Sequence, residues 1–249
     1  MERGIYSATS GGILESRRLE VVANNLANVN TVGFKASRLV AREQEFSDTL
    51  ASTLEGIPSR AASDQQNTPG VVNVDVFTDF TPGPVRNTEA PLDAALVKEN
   101  QFFVVQTQGG ERLTRAGNFT MDSQGFLTTQ DGKAVLGEGG PIAITGPSPK
   151  ITSNGSIIAG GELVGKLRVV EVDDLQSLER EEGVRFKVNG GGQRPVVSAN
   201  VIPQSLEMPN VSVIGSMVEM ISTQRAFEGY SKTVQTIQEL NDTNLRTVR

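Results

Sequence analysis

Two segments with helical periodicity lie at opposite ends of the chain, and this arrangement constrains the fold more than any other feature of the sequence. Over residues 1–32, apolar side chains recur mostly at spacings of three and four, which predicts a helix that stops at Gly33. Over residues 211–248 they recur at roughly 3.5-residue spacing, which predicts a long helix with a coiled-coil-like stripe. A helix cannot bury its own stripe. We therefore expect the two ends to pair, and the apolar surface left over to be a partner interface.

The middle of the chain, from about residue 71 to residue 201, carries a β pattern. Short apolar or alternating runs are separated by turn signals such as Gly109-Gly110 and Asp131-Gly132, which suit hairpin connections. The pattern predicts a compact antiparallel β domain, either a rolled sheet or a small barrel. Residues 49–70 are rich in Ser, Thr, Gln, Asn and Pro without a sustained period, which predicts a linker or an extended arm.

These segments together predict an α+β protein, with paired long terminal helices that flank an antiparallel β-rich middle. The predicted organisation is a helical segment over 1–35, a linker or extended arm over 36–75, a β-rich domain over 76–205 and a helical segment over 206–249. Because the β middle has apolar runs of its own, its core is expected to be separate from the helix pair.

Composition narrows the classes of function. The 249 residues contain no Cys and no His, which removes thiolate nucleophiles, Cys/His zinc sites and imidazole bases. A net charge of −6 gives no basic surface for nucleic acid. No stretch approaches the ~18 apolar residues of a membrane span, and the N-terminal residues lack the apolar core of a cleaved signal peptide. We expect a non-enzymatic protein with no metal or other cofactor, no nucleic-acid partner and no membrane insertion.

Three separated motifs occur in one order along nearly the whole chain. Residues 22–35 (VANNLANVNTVGFK) resemble the N-terminal signature of the flagellar rod and hook protein family. Residues 217–228 (MVEMISTQRAFE) and 236–240 (TIQEL) are similar to the C-terminal helix of the same family. The β core of that family is similar to the middle motifs, which are PLDAAL at 91–96, FFVV at 102–105, LTRAGNF at 113–119 and DG at 131–132.

The resemblance implies a structural subunit that self-assembles into the axial, torque-transmitting shaft of the flagellar basal body. Its partners would be copies of itself and neighbouring rod proteins, and the flagellar type III export apparatus in transit. The terminal helices would form an inner tube, with the β domain outside it. Length and the short β middle favour a proximal-rod member over a distal-rod member. One departure is the stretch Lys98-Glu99-Asn100-Gln101, where family members usually carry a Gly-x-Gly turn.

The resemblance also places the subunit-assembly residues on the two terminal segments. They are expected to be Leu19, Val22, Asn24, Asn25, Leu26, Asn28, Gly33 and Phe34 in the first segment, and Met217, Met220, Ile221, Gln224, Arg225, Phe227, Val234, Ile237 and Leu240 in the second. Asn24 and Asn28 lie one helical turn apart, so their amides could fix register between subunits. The Asn cluster is equally consistent with a helix end, and the C-terminal stripe with a core inside one chain.

Two hypotheses from other classes stay open on the sequence alone. One is a peptidoglycan-cleaving β-domain enzyme with helical arms, which would need paired carboxylates in a cleft. The other is a secreted adhesin or tube protein with the same self-assembly. The acidic pair Asp173-Asp174 is better explained as hydrated surface charge than as a metal site.

Overall fold

The computed structural model describes residues 2–44, 71–181, 183–188, 192–196 and 199–247. Helix α1 spans Glu2–Ala27 and helix α2 spans Val213–Thr247, with strands between them. The chain divides into two compact units. The first contains the described residues within 1–26, 37–77 and 213–249, and the second contains those within 27–36 and 78–212.

The strands are short and follow one another closely in the described part of the chain. They are β1 Ser37–Gln44, β2 Val71–Thr78, β3 Val85–Asn87, β4 Ala94–Leu96, β5 Gln101–Thr107, β6 Gly110–Thr114, β7 Thr120–Met121, β8 Leu127–Thr128, β9 Ala134–Gly137, β10 Gly140–Pro141, β11 Lys150–Ile151, β12 Ser156–Ala159, β13 Glu162–Lys166, β14 Val169–Val172, β15 Leu178–Arg180, β16 Arg185–Val188, β17 Gln193–Pro195, β18 Val201–Pro203 and β19 Ser205–Glu207.

In the first unit, β1 pairs with β2. In the second unit, the largest sheet has the order β15-β16-β6-β5-β9-β8-β7, with β10 on β9 and with β14 joining β5 to β17. Its strand pairs are antiparallel. A smaller sheet has the order β11-β12-β13. Two further antiparallel pairs, β4 with β18 and β3 with β19, join the start of the unit to its end.

Strand β5 is the centre of the second unit because both of its faces are buried. Successive side chains of a strand point to opposite faces, so Phe103 and Val105 enter one core while Phe102 and Val104 enter another. Phe103 meets Phe119 edge to face at 5.1 Å, and Phe102 packs similarly near Phe80 at 5.8 Å. Each fully buried side chain of this kind contributes about 1.5–3 kcal/mol. The run of four apolar residues therefore holds the two cores together.

Helix α1 ends earlier than its apolar periodicity predicts, at Ala27 rather than near residue 32. The backbone N–H of Thr31 donates to the carbonyl of Asn28 at 3.0 Å, which turns the chain out of the helix. Gly33 then has φ of +69°, in the left-handed region that glycine enters without a steric penalty.

The α+β class, the two terminal helices and the antiparallel β middle are confirmed. Strand β19 crosses the predicted boundary between residues 205 and 206, and α2 begins only at Val213. Strands β1 and β2 occupy much of the described part of the range 36–75. The linker predicted over 49–70 lies outside the described residues.

Candidate assembly surface and buried junction

One face of α1 is buried at every seventh residue. Ala8, Glu15 and Val22 are 7%, 8% and 3% exposed, and seven residues are close to two helical turns, so these side chains share a face. The buried carboxylate of Glu15 accepts a hydrogen bond from Nη1 of Arg18 at 3.1 Å. The predicted assembly residue Val22 therefore belongs to the buried face of the first unit, and Leu19 and Leu26 beside it are half-buried.

Helix α1 touches α2 where two consecutive glycines of α1 meet an aromatic ring. A Cβ atom added to Gly11 would lie 2.5 Å from Cε1 of Tyr230, and one added to Gly12 would lie 3.7 Å from Cβ of Tyr230. The absence of a side chain at Gly11 thus makes room for the tyrosine ring. We call this contact the glycine notch.

Helix α2 has a half-buried face and an exposed apolar face. Thr223 is buried, while Met220, Val234 and Ile237 are half-buried. The exposed apolar face lies near the start of the helix, where the exposed fractions run from 49% to 76%; it consists of Ile214, Met217, Val218 and Ile221. Farther along α2, the predicted residues Gln224, Arg225, Phe227 and Leu240 are also exposed.

The asparagines of the N-terminal motif fill separate roles inside the chain. Asn25 makes two hydrogen bonds with the backbone of Ser37: its Nδ2 donates to the carbonyl at 2.8 Å and its Oδ1 accepts from the N–H at 2.9 Å. Oδ1 of Asn28 accepts from the hydroxyl of Thr31 at 3.3 Å. Asn24 is exposed. Asn25 and Asn28 therefore shape the exit from α1, and register between subunits stays a prediction.

The segments that follow α1 and precede α2 lie side by side in the second unit. The N–H of Gly33 donates to the carbonyl of Glu207 at 2.8 Å, and the N–H of Ala36 donates to Oδ1 of Asn210 at 2.7 Å. Nδ2 of Asn210 donates in turn to the carbonyl of Asp79 at 2.8 Å. The chain thus enters and leaves the β strands of this unit at one place, which we call the junction.

Gly33 and Phe34, predicted as assembly residues, are buried within this junction. A Cβ atom on Gly33 would lie 2.4 Å from the backbone nitrogen of Ala116, so the strands approach closely there. The Phe34 ring is covered by the guanidinium of Arg180, whose Cζ lies 4.6 Å from the ring centroid. Arg180 also donates to the carbonyl of Lys35. A direct role of Gly33 and Phe34 between subunits stays a prediction.

Three charged side chains meet at the centre of the junction, and we call them the junction cluster: Lys35, Arg115 and Glu207. Nζ of Lys35 lies 2.6 Å from Oε1 of Glu207, and Nη2 of Arg115 lies 2.6 Å from Oε2. All three side chains are at most 1% exposed. Removing one partner of such a buried pair costs about 3–5 kcal/mol, because the remaining charge is left without compensation.

Backbone groups satisfy the rest of the junction cluster. Lys35 also donates to the carbonyl of Thr81 at 2.8 Å, and the N–H of Gly83 donates to Oε1 of Glu207 at 3.1 Å. Burial lowers the pKa of the Lys35 ammonium below its ordinary value of 10.5, and the charge of Glu207 opposes that shift. Burial likewise lowers the pKa of Arg115, again against the effect of Glu207.

The turn that departs from the family pattern is tied to the same cluster. Nη1 of Arg115 donates to the carbonyls of Lys98 at 2.5 Å and Gln101 at 2.7 Å. Asn100 donates through Nδ2 to Glu171 at 3.1 Å. Residues 98–101 therefore make a closed turn without a Gly-x-Gly sequence, because a buried guanidinium bonds two of its carbonyls.

Sequence reasoning identified the motifs that contain these residues but missed the junction cluster and the glycine notch. Lys35 ends the motif GFK and Arg115 lies inside the motif LTRAGNF. A charge inside a short apolar motif is the signal that could have identified them. No local signal marks Glu207 or Tyr230, since their partners lie far away in the sequence.

Other kinds of site receive no support from the described residues. Within them, no group of three or more acidic residues could hold a metal ion. No described helix is long and apolar enough to cross a membrane. A cleft of about 160 Å³ has one acidic lining residue, Asp131, which is paired with Arg185, another lining residue.

Comparison with known families gives three matches in order along the chain. The family model described as "Flagella basal body rod protein" matches residues 5–35, "Flagellar hook protein FlgE/F/G D1 domain" matches 96–164, and "Flagellar basal body rod FlgEFG protein C-terminal" matches 202–247. The first and third contain the terminal helices with both sides of the junction.

Proteins that are similar to this chain over nearly its whole length belong to the same family as these matches. The flagellar basal-body rod protein FlgF of Caulobacter vibrioides is 32% identical over 245 residues, covering 97% of this chain and 96% of that protein. FlgF of Escherichia coli is 31% identical over 257 residues, covering 96% and 95%. The rod protein FlgG of Bacillus subtilis is 30% identical over 257 residues, covering 96% and 97%.

The terminal helices, the antiparallel β middle and these matches define a flagellar axial protein: the chain belongs to the flagellar basal-body rod protein family. Within that family it is similar to FlgF, and it is a structural rod subunit of the bacterial flagellum. Membership implies that it assembles with other proteins of the rod and basal body.

Proposed function

We propose that this chain is a subunit of the proximal part of the rod, which assembles with copies of itself and with neighbouring rod proteins. The similarity to FlgF relatives supports this position, and a distal-rod subunit is the second candidate because FlgG relatives match almost as well. We further propose that the chain passes through the flagellar type III export apparatus without a cleaved signal peptide. Its location would then be the periplasm-spanning rod.

The observation that carries the assembly proposal is the exposed apolar face of α2, formed by Ile214, Met217, Val218 and Ile221. Large contiguous apolar surface in a monomer marks an interaction site. Burial in a neighbouring subunit stabilises the contact by about 25 cal/mol for each Å² of apolar area removed from water. When such a patch meets a different surface of the next copy, and the rotation between copies does not close a ring, a filament results.

We also propose that α1 and α2 pair side by side in a coiled-coil-like manner, running antiparallel. The glycine notch supports the pairing. Gly11 lies 16 residues before the last residue of α1, and Tyr230 lies 17 residues after the first residue of α2. At about 1.5 Å per residue the two contact points are nearly equally far from the ends that lead to the junction. This equality is what an antiparallel pair requires.

A charged substitution on the exposed face tests the assembly proposal. Ile221→Asp would place a carboxylate in a dry contact between subunits, and burying an unpaired charge is costly. We expect cells that produce this variant in place of the natural chain to lose swimming and to lack rods in isolated basal bodies. The matched control is Leu163→Asp, an equally drastic change at a position of β13 that is 69% exposed. Equal swimming of the two variants would contradict the proposal.

No observation on the described residues favours the enzyme hypothesis or the adhesin hypothesis. The former needs a cleft with two carboxylates, and the cleft described above offers Asp131 in an ion pair. We therefore propose a mechanical function alone.

A further inference from the structure

Glu207 joins parts of the second unit that are far apart in the sequence. Its carboxylate contacts Lys35, 172 residues away, and Arg115, 92 residues away. Its backbone carbonyl accepts from Gly33, and its Oε1 accepts from the N–H of Gly83. One side chain near the end of the unit thus satisfies donors from three earlier segments.

Two strands near the start of the unit, β3 and β4, also depend on residues near its end, because their pairing partners lie there. In the described part of the chain, β3 pairs with β19 alone and β4 pairs with β18 alone. Val201 of β18 is buried in the core cluster that also contains Ala94 and Leu96 of β4. Without residues 201–207, two strands would lack their partners and part of this core would be open.

We propose that Glu207 is the closing residue of the second unit: the junction reaches its native structure only when residues 201–210 dock, and this docking is a late step of folding. Before it, Lys35 has only the half-buried Asp79 and Arg115 only the exposed Glu99 as other acidic groups acting on them among the described residues, and burying either cation without a buried carboxylate opposite it is costly. These cations therefore stay hydrated until Glu207 arrives. Contacts between residues so distant in the sequence also form late, because their loop-closure entropy is not offset by local contacts.

The consequence is a safeguard against premature ordering of the junction. As long as residues 201–210 have not docked, residues 33–36 lack their hydrogen-bond partners at 207–210. The segment that follows α1 and the segment that precedes α2 therefore become fixed in the same step. This inference concerns the folding of one chain and does not depend on the proposed position in the rod.

Folding kinetics of the full chain test the proposal, with Glu207→Gln as the first variant. The isosteric amide removes the anion and leaves two buried cations. We expect unfolding to accelerate at least about 100-fold while refolding changes less than about twofold, because a contact absent from the transition state affects unfolding alone. Far-ultraviolet circular dichroism in stopped flow measures both rates. Glu162→Gln, an exposed position on β13, is the matched control and should change neither. Slowed refolding with unchanged unfolding would overturn the proposal.

A charge-rescue experiment separates electrostatics from packing. Lys35→Met removes one cation and keeps the Arg115–Glu207 pair, so it should accelerate unfolding less than Glu207→Gln. It carries the same kinetic test if Glu207→Gln gives no folded protein. The double variant Lys35→Met/Glu207→Gln should unfold more slowly than Glu207→Gln, because one uncompensated cation is gone. A double variant that unfolds as fast as Glu207→Gln, or faster, would show that compensation of charge is not what closes the junction.

Discussion

Among single residues, Gly117 shows how closely the backbones of the second unit approach one another. A Cβ atom there would lie 1.7 Å from the carbonyl oxygen of Ala94 on β4, which is backbone and cannot rotate away. We expect Gly117→Ala to lower the free energy of unfolding by about 3 kcal/mol or more, since it forces β4 and its partner β18 to move. Denaturant unfolding measures the change. Gly139→Ala is the matched control, because nothing lies within 4 Å of its added Cβ; comparable losses in both variants would refute the steric argument.

The carboxylate of Glu181 makes stability depend on pH. Hydrogen bonds from Arg112, with Nη2 at 2.9 Å from Oε1, lower the pKa of Glu181 below its ordinary value of 4.5. A group whose pKa is lower in the folded state stabilises that state above its ordinary pKa, and the contribution is lost as pH falls through the lowered value. We expect the melting temperature of Glu181→Gln to fall less steeply than that of the natural chain below about pH 5. Parallel curves would contradict this coupling.

Residues of one sequence motif differ in how far they are buried in the folded chain. The N-terminal motif contains both Asn24, which is exposed, and Phe34, which is buried under Arg180. A motif identifies a position as part of the family pattern. The role of the residue at that position depends on the atoms that contact it in the folded chain. For Phe34 those atoms come from a strand about 145 residues away in the sequence, as the bond from Arg180 to Lys35 shows.

At the scale of elements, the glycine notch gives a direct probe of helix pairing. A Cβ atom on Gly12 would lie 3.7 Å from Cβ of Tyr230, within the range of about 3.5–4.5 Å that disulfides require. The chain has no natural Cys. We therefore expect Gly12→Cys/Tyr230→Cys to form an intramolecular disulfide under mild oxidation, seen as a faster band on non-reducing electrophoresis.

A neighbouring position controls for this experiment. Gly229 is adjacent to Tyr230, but a Cβ atom there meets nothing within 4 Å. Gly12→Cys/Gly229→Cys should therefore remain reduced, or crosslink far more slowly. If both pairs crosslink alike, or if Gly12→Cys/Tyr230→Cys never does, the notch does not set the register of the helices.

For the whole molecule, we expect the two units to differ in local stability when the chain is monomeric. Residues 27–36 are bonded into the second unit through Gly33, Lys35 and Ala36. The exposed face of α2 lacks a partner in a monomer, and helices with unburied faces are marginal in water. Hydrogen exchange of dilute monomer should therefore show protection at Gly33 and Ala36 similar to that of β5, and faster exchange along the exposed start of α2. Uniform protection of both units would contradict the expectation.

Much of the element content could be predicted because it depends on local pattern. Apolar periodicity predicted both helices, and the run at residues 102–105 was recognised as a β segment. The end of α1 was missed by about five residues, since hydrogen bonds within residues 28–34 override the periodicity there. Met217 and Ile221 were predicted as assembly residues from the sequence, and that role stays a prediction; their exposure on α2 required the structure.

By itself, the sequence determined the family, the two terminal helices and the antiparallel β middle, because motifs, helical period and turn chemistry are encoded by neighbours along the chain. Only the tertiary structure decided that Lys35, Arg115 and Glu207 form one buried cluster and that Tyr230 fills the space above Gly11. The physical reason is distance along the chain. A charge is tolerated in a dry core only when its partner arrives there, and that meeting depends on how β3, β4, β18 and β19 pair rather than on any local pattern.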